Sequence, residues 1–234
     1  INTVAMQVAI EELGQHIAID ASRVRVIVDT TRELGLGQTT GSRGTLMGAG
    51  AVQDACRVAI AAGLTRGVDH VGEYRVDWTT KLGDPNVANP IIHSTFGYAT
   101  QLVIIDRESG KIERVIAAHD VGRAVNPTLC EGQIEGSIHM GLGYALTEDF
   151  PSDPDTGFPT NMTLRSLGIL RAKDVPKMEV LLVESPQPNA PYGIKGVGEI
   201  GLVPTAGAVA KALHEFDGVW RTQLPMRRAA NDDD

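Results

Sequence analysis

Apolar positions along this chain switch repeatedly between helical and strand spacing. Val4, Val8 and Leu13 recur near one helical face over residues 3–13, where Asn2 or Thr3 can cap the first turn. Ser22 to Asp29 alternates instead, with Val24, Val26 and Val28 on one side, which predicts a half-buried strand. After the loop GLGQTTGSRGT, the series Leu46, Ala49, Val52, Ala55, Cys56 and Ala59 predicts a second helix. Residues 64–96 are irregular and polar. Tyr98–Asp106 and Ile112–Ala118 then read as a hairpin around RESGK. Asn126-Pro127 supplies an N-cap and an N1 proline for a long helix reaching Glu148. A surface loop, FPSDPDTGFPT, precedes a strand over Met178–Glu184, and Pro204 opens an Ala-rich final helix. Without regular βαβ spacing, this order predicts an α+β (mixed α/β) fold.

Composition narrows the field only modestly. At 234 residues, 42% hydrophobic and 21% charged, the chain has enough apolar content for one large domain or two small ones. We expect a domain over 1–230, with possible subdomains 1–95 and 96–230, and an acidic tail at 231–234. The net charge of −8, with scattered Lys and Arg, argues against nucleic-acid binding. No run approaches the roughly 18 apolar residues of a membrane span. Two cysteines, Cys56 and Cys130, without a CxxC spacing, give neither an iron–sulfur nor a structural zinc site, so a reducing, cytoplasmic setting is expected. The chain opens on Ile1 and enters a helical pattern at once, which reads as a piece of a longer polypeptide or one part of a split subunit.

Three glycine-rich polar segments at helix edges carry the candidate chemistry. In TTGSRGT, the hydroxyls of Thr39, Thr40 and Ser42, the Arg43 guanidinium and the backbone around Gly41 and Gly44 are donors for a phosphate or a polar heterocycle. In HDVGRAVNP…GQIEG, Gln133 presents an amide between Gly132 and Gly136. In GIKGVGEIG, Glu199 follows Gly198 among glycines that let backbone approach a ligand, which makes it a candidate desolvated general base. Plainer readings stand beside these. Glu199 fits a solvated surface turn, Gly132 and Gly136 fit close helix packing, and Ser42 with the threonines fits N-caps. His119 and Asp120 point to different sides of any regular element, and His139 has no second ligand at metal spacing. Gly196-Val-Gly198-Glu-Ile-Gly201 satisfies GxGxxG, but SPQPNAPYGIK separates it from the preceding strand, so a nicotinamide site is not expected.

Taken in order, TTGSRGTLMGAGAV, AHDVGRAVNPTLCEGQIEG and YGIKGVGEIG resemble the C-terminal portion of the molybdopterin-binding subunit of the xanthine dehydrogenase/aldehyde oxidoreductase family. The likeness covers nearly the whole chain. NPIIHSTFGYATQ and HMGLGYALTEDF are most similar to a bacterial branch of selenium-dependent xanthine dehydrogenases or purine hydroxylases. The resemblance implies that Glu199 is the general base for an oxygen derived from water. It implies that Gln133 contacts the pterin beside the metal, that Thr40, Gly41, Ser42, Arg43 and Gly44 line the pterin and its nucleotide tail, and that Gly198 precedes the base. The substrate would be a purine-like heterocycle or an aldehyde.

The cofactor implied is molybdenum–molybdopterin, in bacteria usually the cytosine dinucleotide form, with iron–sulfur and FAD groups on other domains or subunits. The upstream molybdenum and pyrophosphate contacts of the family have no counterpart here, so the N-terminal half of the subunit is an expected partner and the isolated chain an incomplete enzyme. The competing expectation is a non-catalytic assembly or relic module of such a complex.

Overall fold

The computed structural model describes residues 2–29, 31, 39–81, 83–160 and 162–226. The acidic tail at 231–234 lies outside these residues, as does the GLGQ portion of the first glycine-rich loop. Contacts divide the chain into two units. One comprises Ile1–Gly97, Val121–Pro127 and Glu184–Gly196, and the other Tyr98–Asp120, Thr128–Val183 and Val197–Asp234. The first unit thus takes back two segments from beyond residue 97.

The first unit is built on α1 (Asn2–Gly14) and α2 (Gly44–Ala61), packed against one another. Val4 and Val8, one helical turn apart, meet Ala49 and Ile194 in a buried cluster flanked by Val52, Val125 and Tyr192. Small residues let α2 accept close neighbours. A Cβ on Gly50 would stand 2.3 Å from the Tyr74 ring. The Tyr192 hydroxyl donates to the Glu12 carboxylate, and burial together with that bond pushes the phenol upward from its ordinary range.

The strand expected over Ser22–Asp29 does not form. Ala21–Arg23 is a short 3-10 turn with Asp20 as its cap, and residues 24–29 have no regular secondary structure and no ladder partners among the described residues. Ile27 is 83% exposed and Val28 71%. Alternation states which side chains share a face, but a strand exists only as a pair, and no second described strand is available to this one.

The second unit holds a three-stranded sheet, β1 (Ala99–Ile105), β2 (Ile112–Asp120) and β3 (Lys177–Val183), in the order β1-β2-β3. β1 and β2 form the expected hairpin, antiparallel with Val103 opposite Val115. Its turn is held by the Asp106 carboxylate, which accepts from Ser109 N–H and Oγ. β3 pairs parallel to β2, with Met178 beside Val115. α3 (Pro127–Leu146) buries Ile134, Ile138, Leu142 and Ala145 along one stripe, and α4 (Thr205–Asp217) buries Thr205, Val209 and Leu213. The sheet turns Val103, Val115 and Ala117 inward. No described helix is long and apolar enough to cross a membrane.

Candidate cofactor and active site

Within the first unit, the loop before α2 is a tight turn. The Arg43 N–H donates to Thr40 O at 3.2 Å, and both middle residues, Gly41 and Ser42, take φ of 56°. Glycine adopts that conformation freely, whereas Ser42 accepts strain of about 1–2 kcal/mol to do so. A non-glycine residue held there is a mark of sites where backbone geometry is used. Arg43 stands at the N-cap of α2 without a side-chain capping bond, and no side-chain hydrogen bond of Thr40 or Ser42 is found among the described residues. The capping alternative therefore does not account for this loop. Gly196 approaches it closely: a Cβ there would lie 3.0 Å from Ser42 Cβ and 3.4 Å from Gly41 O. The Gly196 N–H donates to Thr95 Oγ1 at 3.3 Å.

Within the second unit, Gln133, Gly198 and Glu199 come together through Ser137, one helical turn beyond Gln133 on α3. The Ser137 hydroxyl reaches Gln133 O at 2.8 Å and Gly198 O at 3.0 Å, so its single proton serves either carbonyl. Gly201 lies directly against α3, where a Cβ would stand 2.6 Å from Ser137 Cβ and 2.9 Å from Ile134 O. Gly132 and Gly136 face open space, with nothing within 4 Å of a Cβ built on either. Among the described residues, then, no close packing accounts for them, and Gln133 between them is exposed. Glu199 is also exposed, and its carboxylate has no hydrogen bond or ion pair among the described residues. The described residues thus do not provide the dry setting expected of it. The turn beneath it is ordered, with the Leu202 N–H donating to Glu199 O at 3.1 Å.

Behind that turn lies a polar group that sequence reasoning missed. Gln101 on β1 donates through Nε2 to Gly201 O at 2.7 Å, and the same nitrogen lies 3.3 Å from His119 Nε2 on β2. Because a carbonyl oxygen only accepts, the amide orientation is fixed, and His119 Nε2 must be the acceptor. The imidazole is then neutral, with its proton on Nδ1. It is fully buried, and burial holds it below its ordinary range. The available signal was a polar residue, Gln101, on the inward row of a strand beside Val103.

A pH dependence follows from this state. The folded protein binds the His119 proton less readily than the unfolded chain, so this contribution is complete above the ordinary histidine value of 6.5 and is lost as pH falls from there toward the depressed one. Urea midpoints are expected to fall between pH 7.5 and pH 5.5, above the carboxylate range. A His119→Gln variant, which still offers an acceptor, should flatten that fall. An unchanged slope in the variant would rule out His119 as its source.

His139 donates a hydrogen bond through Nε2 to Leu170 O at 3.0 Å, and no described group of three His, Cys, Asp or Glu residues is arranged to hold a metal. The first unit offers instead hydroxyls, backbone groups and Arg43 at the start of α2, and the second offers the neutral Gln133 amide beside open glycines. That chemistry suits a polar heterocycle with an anionic tail. The residues present fit a pterin that carries its own metal ligands.

The profile of the molybdopterin cofactor-binding domain matches residues 1–71 and 59–176. The chain is similar to the putative xanthine dehydrogenase molybdenum-binding subunit of Escherichia coli K12, 36% identical over 115 residues, or 49% of this chain and 15% of that protein. It is 32% identical over 117 residues to the aldehyde oxidoreductase molybdenum-binding subunit of the same organism, covering 50% of this chain and 16% of that one. The structure superposes on the aldehyde oxidoreductase of Desulfovibrio gigas with a TM-score of 0.75 at 22% identity, covering 96% of this chain and 26% of that one. The chain thus spans less than a fifth of the length of these two curated relatives. The matched profile, over more than half of the chain, places it: this chain belongs to the molybdopterin cofactor-binding domain family, as found in molybdenum-binding subunits of the xanthine dehydrogenase/aldehyde oxidoreductase type.

Proposed function

We infer that this chain is the part of a molybdenum hydroxylase that carries the general base, Glu199, and a share of the pterin contacts. The observation that carries this reading is the contrast at Glu199. The backbone on both sides of it is held by side-chain hydrogen bonds, while its own carboxylate has no partner among the described residues. A merely solvated turn has no need of such bonds.

When bound, the molybdenum–pterin group supplies a two-electron acceptor and activates water as the oxygen source. Glu199 would accept, at a carboxylate Oε, the proton of the water-derived oxygen that adds to an electron-poor carbon of a purine-like heterocycle or an aldehyde, and the hydride displaced from that carbon would give its two electrons to the bound group. Gln133 hydrogen-bonds the pterin through its amide. Thr40, Gly41, Ser42, Arg43 and Gly44 bind the pterin and its nucleotide tail, for which cytosine dinucleotide is the proposed form. Gly198 lets the base come close to the oxygen it deprotonates. The exposure of Glu199 in this chain supports a role for the remainder of the molybdenum-binding protein in excluding water. Iron–sulfur and FAD groups on other domains or subunits would take the electrons, a reading supported by the relatives whose names make them molybdenum-binding subunits of larger enzymes.

The test is elemental analysis of the complete molybdenum-binding protein, with its co-purifying partners, from native cells. Close to one molybdenum per copy of this chain is expected, and selenium in the same preparation would favour the purine branch. An intact complex without molybdenum would sink the enzymatic reading and leave an assembly module in its place.

A further inference from the structure

The carbonyls that flank Glu199 are gripped from three elements. Gly198 O, on its N-terminal side, lies 3.0 Å from Ser137 Oγ of α3 and shares that hydroxyl's single proton with Gln133 O at 2.8 Å. Gly201 O, on its C-terminal side, accepts from Gln101 Nε2 of β1 at 2.7 Å and from Thr205 Oγ1 of α4 at 2.9 Å, which uses both of its lone pairs. The Leu202 N–H closes the turn on Glu199 O. Gln101 is itself oriented, because its second amide hydrogen goes to the buried His119 Nε2, while Gln101 Oε1 and His119 Nδ1 have no partners among the described residues. Two buried polar atoms left unsatisfied are a cost, and here they accompany an amide turned so that it donates to Gly201 O.

The geometry points to Gln101 and Ser137 as positioning residues for Glu199, with His119 setting the orientation of Gln101. They do not touch substrate or cofactor; they hold the two ends of a four-residue turn so that the exposed carboxylate projects from a fixed base. The proposal rests on Glu199 being the general base. A carboxylate on an otherwise glycine-rich loop samples many directions unless its backbone is fixed, and misplacement of a catalytic group by about 1 Å costs on the order of 100-fold.

The test uses the complete molybdenum-loaded enzyme carrying Gln101→Met, Ser137→Ala, both together, or Glu199→Gln. Met keeps the length of Gln101 without its donor, and Ala removes only the Ser137 hydroxyl. Each single clamp variant is expected to lower kcat by about 10- to 100-fold with KM within about twofold and molybdenum content unchanged. Hydrogen exchange over residues 197–203 should quicken in the clamp variants and stay at the parent rate in Glu199→Gln. A loss of KM or of molybdenum in step with kcat would mark a general structural effect and overturn the proposal. Near-parental kcat and exchange in both clamp variants would overturn it while leaving Glu199 as base, provided Glu199→Gln is inactive. If Glu199→Gln turns over normally, the base assignment itself falls, and unchanged exchange in the clamp variants would independently remove the clamp. Should Gln101→Met fail to assemble, Ser137→Ala tests the other end of the same turn.

Discussion

Glu199→Gln is expected to lower kcat by about 100- to 10,000-fold while leaving molybdenum content, KM and the unfolding midpoint close to the parent values. Gln keeps the length and shape of the side chain and removes its ability to accept a proton. The unchanged midpoint follows from the structure: the carboxylate is exposed and has no partner among the described residues, and a surface change of this kind shifts stability by no more than about 0.5 kcal/mol. Activity and stability are therefore separable at this residue. Steady-state kinetics on molybdenum-loaded enzyme decides the matter, and a kcat within a fewfold of the parent would remove Glu199 from the chemistry.

A large stability effect is expected at Gly122. This residue has φ of 66° and bridges Ile194 across the pairing of 121–123 with 193–195, where Lys195 N–H donates to Val121 O and Arg123 N–H to Gly193 O. A Cβ at 122 would stand 2.3 Å from Gly193 O and 2.8 Å from Lys195 N, both backbone atoms that no rotamer change can move aside. Gly122→Ala combines left-handed strain of about 1–2 kcal/mol with overpacking of about 1–3 kcal/mol, for a loss of about 2–5 kcal/mol. Gly157 separates the two effects, since its φ is 71° but nothing lies within 4 Å of a Cβ there. Gly157→Ala should lose only the backbone part. Urea unfolding of the two variants side by side checks this, and equal losses would show that the contact at Gly122 contributes nothing.

Much of the local structure was legible in the chain. Val4 and Val8, the Leu46–Ala59 series, Asn126-Pro127 and the RESGK turn each placed an element within a few residues of its observed position, because helix periodicity, caps and tight turns are set by neighbours along the sequence. The candidate residues Gln133, Ser42 and Glu199 were legible as polar groups among glycines, and their order along the chain carried the family resemblance. The strand reading of Ser22–Asp29 fared worse. Its valines alternate as a strand's would, yet pairing depends on a partner that the alternation does not name.

What only the tertiary structure decided lies in contacts between residues far apart in sequence. Gln101 meets Gly201 across 100 positions, and Ser137 meets Gly198 across 61. β3 joins β2 in parallel rather than extending the hairpin. Single side chains with ordinary propensities, such as Gln101 and His119, acquire a role only when folding brings a distant partner to them, the Gly201 carbonyl to Gln101 and the Gln101 amide to His119. The sequence by itself determined most of the elements and which residue types are candidates for the chemistry, since both follow from local spacing and side-chain inventory. The fold decided how the glutamate's turn is held, because a hydrogen bond between distant residues has no period along the chain.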